Sequence, residues 1–112
     1  MPTPLRVIRA YVQPHVLSRL VQALLEIPDF PGLSVSDCQG FGREKAGSGE
    51  DYVPFYAKKR LEIYARAEQV EAIVAALLRE AHSGQRGDGK IYVADVAEGI
   101  RVSTRERGSD LA

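Results

Sequence analysis

Apolar and polar positions along the 112-residue chain switch repeatedly between a period of two and a helical period. LRVIRAYV, residues 5–12, is β-branched and aromatic with few breakers and reads as a strand. Pro14 follows in a place suited to the first turn of a helix. Val16, Leu17, Leu20, Val21, Leu24 and Leu25 then recur at helical spacing and predict an amphipathic helix over 15–27. PDFPG at 28–32 breaks it, and LSVSDCQGF at 33–41 alternates as a second strand. GREKAGSGED at 42–51 is polar, holds three glycines and has no period; a long loop of this kind inside a compact domain is often functional. Order returns at Lys58. Leu61, Ile63 and Ala65 alternate with Arg60, Glu62 and Tyr64 as a third strand. Val70, Ile73, Val74, Leu77, Leu78 and Ala81 mark a second amphipathic helix. SGQRGDG at 83–89 is a turn region, KIYVADV at 90–96 a fourth strand, and GIRVST at 99–104 a short fifth; the tail RERGSDLA is polar and expected to fray.

The order strand–helix–strand, long loop, strand–helix–strand is that of a ferredoxin-like double βαβ sandwich in the α+β class. An antiparallel sheet would carry both helices on one face. The opposite face has no helix to cover it. Strands one, three and four place apolar residues on both faces, so self-association into a closed oligomer is expected.

Composition narrows the field. Apolar residues make up 45%, enough for one packed domain over residues 1–112. Fifteen Lys plus Arg balance fifteen Asp plus Glu, so there is no general pull toward nucleic acid or a membrane surface, and any anion site must come from local placement. No apolar run approaches the ~20 residues needed to span a bilayer. MPTPLRVIRA lacks the apolar core of a signal peptide, and the one cysteine, Cys38, cannot form an internal disulfide. A soluble cytoplasmic protein is expected.

Candidate chemistry is sparse. GDGK, residues 87–90, has two readings. One is a plain tight turn, since glycine accepts φ > 0 without steric cost. The other is an anion cradle, in which Gly87 and Gly89 let backbone N–H groups approach a phosphate and Lys90 adds a charge. The sequence contains no Walker motif. GFGREK at 40–45 is either a strand opening into a loop or a second phosphate contact through Arg43, with Lys45 nearby. No Ser-His-Asp, HExxH or CxxC pattern is present, so neither catalytic residues nor a metal site are assigned. His15 and His82 read as surface histidines, and Cys38 as a small buried strand residue. Tyr52 and Tyr56 lie in or beside the long loop, where tyrosines either anchor a partner or pack the loop base.

Four blocks in order carry a resemblance over about Leu5 to Thr104: GLSVSDCQGFGREK (32–45), KKRLEI (58–63), AHSGQRGDGKIYVADV (81–96) and IRVST (100–104). On them the chain resembles the nitrogen-regulatory P-II signalling proteins, in a divergent form. The resemblance implies a non-enzymatic homotrimer that binds adenine nucleotide (ADP, AMP or ATP) in clefts between subunits. It implies a T-loop at about 42–56 that docks on a target, a membrane transporter or an enzyme, and is itself not inserted in a membrane. It also implies a B-loop at about 83–90 and a C-terminal segment at about 97–112 that closes a neighbour's cleft. By position, Ser34 matches an adenine-side threonine. Gly40, Phe41, Gly42 and Arg43 match cleft residues at the T-loop base. Lys58 matches a lysine near the phosphates and the oxoacid effector, Gly87, Asp88, Gly89 and Lys90 match the phosphate-holding turn, and Arg101 matches an arginine given by the neighbour.

Departures alter the expectation. The family's second C-terminal arginine is Ser103, which removes a phosphate contact and favours ADP or AMP over ATP. The glutamine that holds the Mg–oxoacid complex is Glu44, a carboxylate able to ligate Mg²⁺. It would repel 2-oxoglutarate by roughly 1 kcal/mol or more for a partly buried pair. The T-loop is short, and GEDY (49–52) matches the modified-tyrosine segment only loosely, so Tyr52 is not carried over as a modification site. A small anion such as bicarbonate is an alternative effector. The rival reading is a CutA-like trimeric metal-tolerance protein, with Cys or His ligands and no nucleotide.

Overall fold

The computed structural model describes residues 4–40, 56–85 and 87–108. Four strands and two helices follow one another: β1 (Leu5–Val12), α1 (Leu17–Leu25), β2 (Ser34–Gly40), β3 (Tyr56–Arg66), α2 (Val70–Ala81) and β4 (Gly89–Asp95). The strands form one sheet in the order β2-β3-β1-β4, every neighbouring pair antiparallel. This is the ferredoxin-like sandwich that the alternation of elements predicts.

Each helix enters through a 3-10 turn. Pro14–Val16 leads into α1, with the Val16 N–H donating to the Gln13 carbonyl at 3.2 Å. The predicted helix over 15–27 is therefore a 3-10 turn followed by a shorter α-helix. Ala67–Gln69 leads into α2. Gln69 is nearly buried, yet both ends of its amide are engaged. Its Oε1 accepts from the Arg66 N–H at 2.9 Å, and its Nε2 donates to the Asp29 carbonyl at 2.9 Å. That side chain ties the start of α2 to the turn that ends α1, and it leaves no buried polar orphan.

Ile8, Ala10 and Val12 of β1 and Leu61, Ile63 and Ala65 of β3 share one sheet face. They pack against Val16, Leu20 and Leu24 and against Ile73, Ala76, Leu77 and Ala81. Most are wholly inaccessible, and each such Leu or Ile contributes about 1.5–3 kcal/mol by burial. Both helices thus cover one face, as their apolar stripes require.

The other face carries apolar residues, as expected, but charge as well. Val7, Tyr11, Tyr64 and Tyr92 share it with the Arg9–Glu62 ion pair, whose Nε and Oε2 lie 2.9 Å apart at its centre. Tyr11 and Tyr92 meet edge to face with centroids 6.3 Å apart. Arg9 pairs directly with both Glu62 and Tyr92 in register, so charge interrupts the apolar strip. Tyr64 and Tyr92 remain 51% and 54% exposed, a surface still worth covering.

One expectation is corrected at 99–104, which forms no sheet strand. Ile100 makes an isolated bridge to Arg107, the Arg101 N–H donates to the Glu106 carbonyl at 2.8 Å, and Arg105 has φ of 63°. The backbone turns back on itself before reaching the sheet. Strand boundaries also shift slightly: β3 begins at Tyr56, and β4 covers 89–95.

Candidate functional site

The end of β1 sets the position of the 83–90 turn. Val12 pairs with Gly89 and Tyr11 with Lys90, so β4 starts against the last residues of β1. Gly89 has φ of +117°, and a Cβ built there would lie 1.7 Å from the Tyr11 carbonyl oxygen. Only glycine permits so close an approach.

The turn is clasped from within by Asp88. Its Oδ2 accepts from the Ser83 N–H at 2.6 Å and from the Gly84 N–H at 3.1 Å. The Ser83 hydroxyl donates to Oδ1 at 2.5 Å. The Ser83 side-chain bond, then the Ser83 and Gly84 backbone bonds and nearby His82, hold the Asp88 carboxyl below the ordinary aspartate range. At neutral pH it is an ionised acceptor that closes the loop.

The outer side of the turn is gripped by two donors. Lys58 of β3 is 8% exposed, and its Nζ donates to the Gly87 carbonyl at 2.6 Å. Gln13, between β1 and Pro14, donates from Nε2 to the same oxygen at 2.5 Å. Gly87 has φ of +88°, and a Cβ there would come within 3.0 Å of Gln13 Nε2. Lys58 therefore joins the turn to the β2–β3 edge, where Cys38 is its register partner and a Cβ built on Gly40 would lie 3.8 Å from its Cγ.

Beside that edge is an open groove of about 500 Å³ lined by Pro14, Asp37, Cys38, Gln39, Ala57, Lys58 and Lys59. Asp37 and Lys59 pair across the strands, and Cys38 is half-buried rather than buried. Ser34 stands on the same sheet face as Lys58 but four residues up β2 from Cys38, roughly 13 Å along the strand.

Sequence-predicted residues thus separate into groups. Gly40, Lys58, Gly87, Asp88 and Gly89 gather at one end of the sheet, with Lys90 exposed on the first turn of β4's face beside Tyr11. Ser34 lies at the far end of β2, and Arg101 on the exposed C-terminal segment. Phe41, Gly42, Arg43, Glu44, Lys45 and Tyr52, and with them nearly all of the T-loop assignment, fall outside the described residues. Tyr56 opens β3. His15 and His82 are exposed, as expected of surface histidines.

Two participants escaped sequence reasoning. Gln13 carries no motif; its only signal is adjacency to Pro14 at the end of the strand that pairs with β4. Ser83 is legible only once Asp88 is known to fold back on it.

These features define a small α+β sandwich whose sheet end holds a glycine-rich turn against a buried lysine. The family model "Nitrogen regulatory protein P-II" matches residues 5–106. The P-II protein of Rhizobium meliloti is 37% identical over 108 residues, covering 92% of this chain and 96% of that one; the P-II protein of Azospirillum brasilense is 36% identical over the same shares. The crystal structure of Arabidopsis thaliana PII bound to citrate superposes with a TM-score of 0.78 at 34% identity, over 96% of this chain and 89% of that chain. The B. subtilis GlnK–ATP complex superposes with a TM-score of 0.84 at 24% identity, over 100% and 99%, and attests the fold.

The chain belongs to the nitrogen-regulatory P-II family, whose members are regulatory signalling proteins and not enzymes. That assignment answers the rival metal-tolerance reading. Among the described residues, no His, Cys, Asp and Glu side chains group as a metal-binding cluster. Among them, too, no helix is long and apolar enough to cross a membrane.

Proposed function

We propose that this chain is a cytoplasmic P-II regulator that binds adenine nucleotide at the 83–90 turn, with ADP or AMP preferred to ATP. In this reading it controls a target protein, a membrane transporter or a metabolic enzyme, through the 42–56 loop. The observation that carries it is the convergence of a nearly buried Lys58 on Gly87 of a glycine-rich turn. A buried ammonium ion beside closely approachable backbone is a site prepared for a phosphate.

In this reading Ser34 takes the adenine side. Gly40, Phe41, Gly42 and Arg43 serve the cleft from the T-loop base. Lys58, Gly87, Asp88, Gly89 and Lys90 hold phosphates, with Asp88 acting through the shape of the turn. Glu44 is the Mg²⁺ ligand candidate, with Lys45 beside it. The Arabidopsis relative was crystallised bound to citrate, an anion, which supports an anion-binding role for this chain. Ser103 in place of a cation lowers the positive charge available to a third phosphate.

A homotrimer completes the proposal. The exposed tyrosines of the open sheet face, and Val102 at 94% exposure on the C-terminal segment, are surfaces a neighbouring subunit would cover. Arg101 would then reach the neighbour's cleft.

Isothermal titration with AMP, ADP and ATP in the presence of Mg²⁺ tests the nucleotide reading. Binding of ADP or AMP tighter than ATP is expected, with weak or absent binding of 2-oxoglutarate. Clear preference for ATP–Mg, or strong ATP-dependent binding of 2-oxoglutarate, refutes it.

A further inference from the structure

We infer that Gln13 is a positioning residue for the anion site: by sharing the Gly87 carbonyl with Lys58, it lets Lys58 turn to an anion without orphaning that carbonyl. The inference rests on the reading of the 83–90 turn as an anion site.

The geometry is specific. Lys58 Nζ and Gln13 Nε2 both donate to one oxygen, at 2.6 and 2.5 Å. A carbonyl oxygen has two lone pairs and accepts both. As described, the Lys58 ammonium is occupied by a neutral acceptor. An anion is the better partner for it, since charge-assisted hydrogen bonds are roughly twice as strong as neutral ones.

Recruiting Lys58 nevertheless has a cost. If it were the only donor, its departure would strip a part-buried carbonyl of its partner, and an unsatisfied buried acceptor is expensive. Gln13 removes that cost, because the carbonyl stays bonded when Lys58 leaves. Two donors on one oxygen also weaken each other, so Gln13 loosens the hold of Gly87 on Lys58.

Two features of the chain suit Gln13 to this role. The absence of a side chain at Gly87 lets Nε2 come near, since a Cβ would lie 3.0 Å from it. The backbone of Gln13 is also fixed on both sides, by the Val12–Gly89 pair before it and by Pro14 after it. The amide is thus held beside the turn by rigid elements rather than by the turn itself.

The test compares ADP with adenosine, which offers no phosphate to Lys58, on the wild-type chain and on Gln13→Met, which keeps length but loses the donor. Expected is an ADP affinity lower by about 3- to 10-fold, the worth of one neutral hydrogen bond, with adenosine binding unchanged. In a Lys58→Met background the second substitution should add nothing. Unchanged ADP affinity, an equal loss for adenosine, or additive losses in the double variant overturns the inference and leaves the anion site standing.

A measurement on the wild-type chain needs no variant to fold. The Asp88 amide ¹⁵N signal reports hydrogen bonding at the preceding Gly87 carbonyl, and it should shift when ADP saturates the chain. A signal that stays in place means Lys58 never left Gly87, which also overturns the inference. A wild-type chain that binds no ADP at all sinks both this inference and the function on which it rests.

Discussion

Gly89→Ala is the substitution whose cost the structure specifies best. Three terms act at this residue. Its φ of +117° lies where a Cβ crowds the backbone, at roughly 1–2 kcal/mol. The added Cβ would also sit 1.7 Å from the Tyr11 oxygen, 2.9 Å from its carbonyl carbon and 3.3 Å from Val12 Cα. All three are backbone atoms, so no side chain can swing aside, and β1 and β4 must part by well over an ångström. Such overpacking costs about 1–3 kcal/mol, and losing the adjacent ladder bond costs about 1 more. The sum, about 3–6 kcal/mol, is a large part of the 5–15 kcal/mol typical of a whole domain. Gly32→Ala is the internal control: its φ is +109°, and nothing lies within 4 Å of the built Cβ, so it carries the conformational term alone. Urea unfolding followed by far-UV circular dichroism, at matched protein concentration because association raises apparent stability, gives both values. Gly89→Ala should lose at least about 2 kcal/mol more than Gly32→Ala. Equal losses would show that β1 and β4 part freely at this end, and the argument for a glycine-only close approach would fail.

Two further outcomes are expected. The Asp88 carboxyl is held below its ordinary range, so the clasp is complete above the unfolded-state value, near pH 4, and opens as pH falls through the lower folded value. The Asp88 side-chain carboxyl ¹³C signal should therefore show its own titration only below the ordinary aspartate value; a midpoint at or above that value counts against the clasp. If the open sheet face is the trimer surface, Tyr64→Glu sets a second carboxylate beside Glu62 on that face and should lower the mass measured by light scattering from trimer to monomer. A trimer of unchanged mass would place the interface elsewhere.

The sandwich was legible because each element has a strong period and clear ends. Residues 5–12 coincide with β1, and the apolar set from Val70 to Ala81 spans α2 from end to end. What failed was the inference from apolar residues alone where no partner element exists. IRVST has the composition of a strand, yet strand formation needs an edge to pair with, and among the described residues its one bridge joins Ile100 to Arg107 in the segment that follows. The open face was legible only in part. Alternation identifies which residues share a face, but the charge at its centre is set by the register that aligns Arg9 with Glu62.

At the site, what could be read was the backbone chemistry, and what could not was the division of labour among side chains. GDGK announces a turn with room for close approach, and Gly89 uses that room against Tyr11. The motif does not say that Asp88 faces inward to Ser83 and Gly84, because both a ligand-facing and a turn-closing aspartate suit a neighbour of glycine. Nor does it say that Lys58, twenty-nine residues upstream of Gly87, waits on the carbonyl of the loop it is expected to serve. A lysine held this way is placed and largely desolvated before any ligand arrives, so less ordering remains to be done on binding. The hold must also be weak enough to release. In the proposed anion site, a neutral carbonyl already satisfied by Gln13 would meet both conditions, so a residue with no motif would bear on whether the motif works.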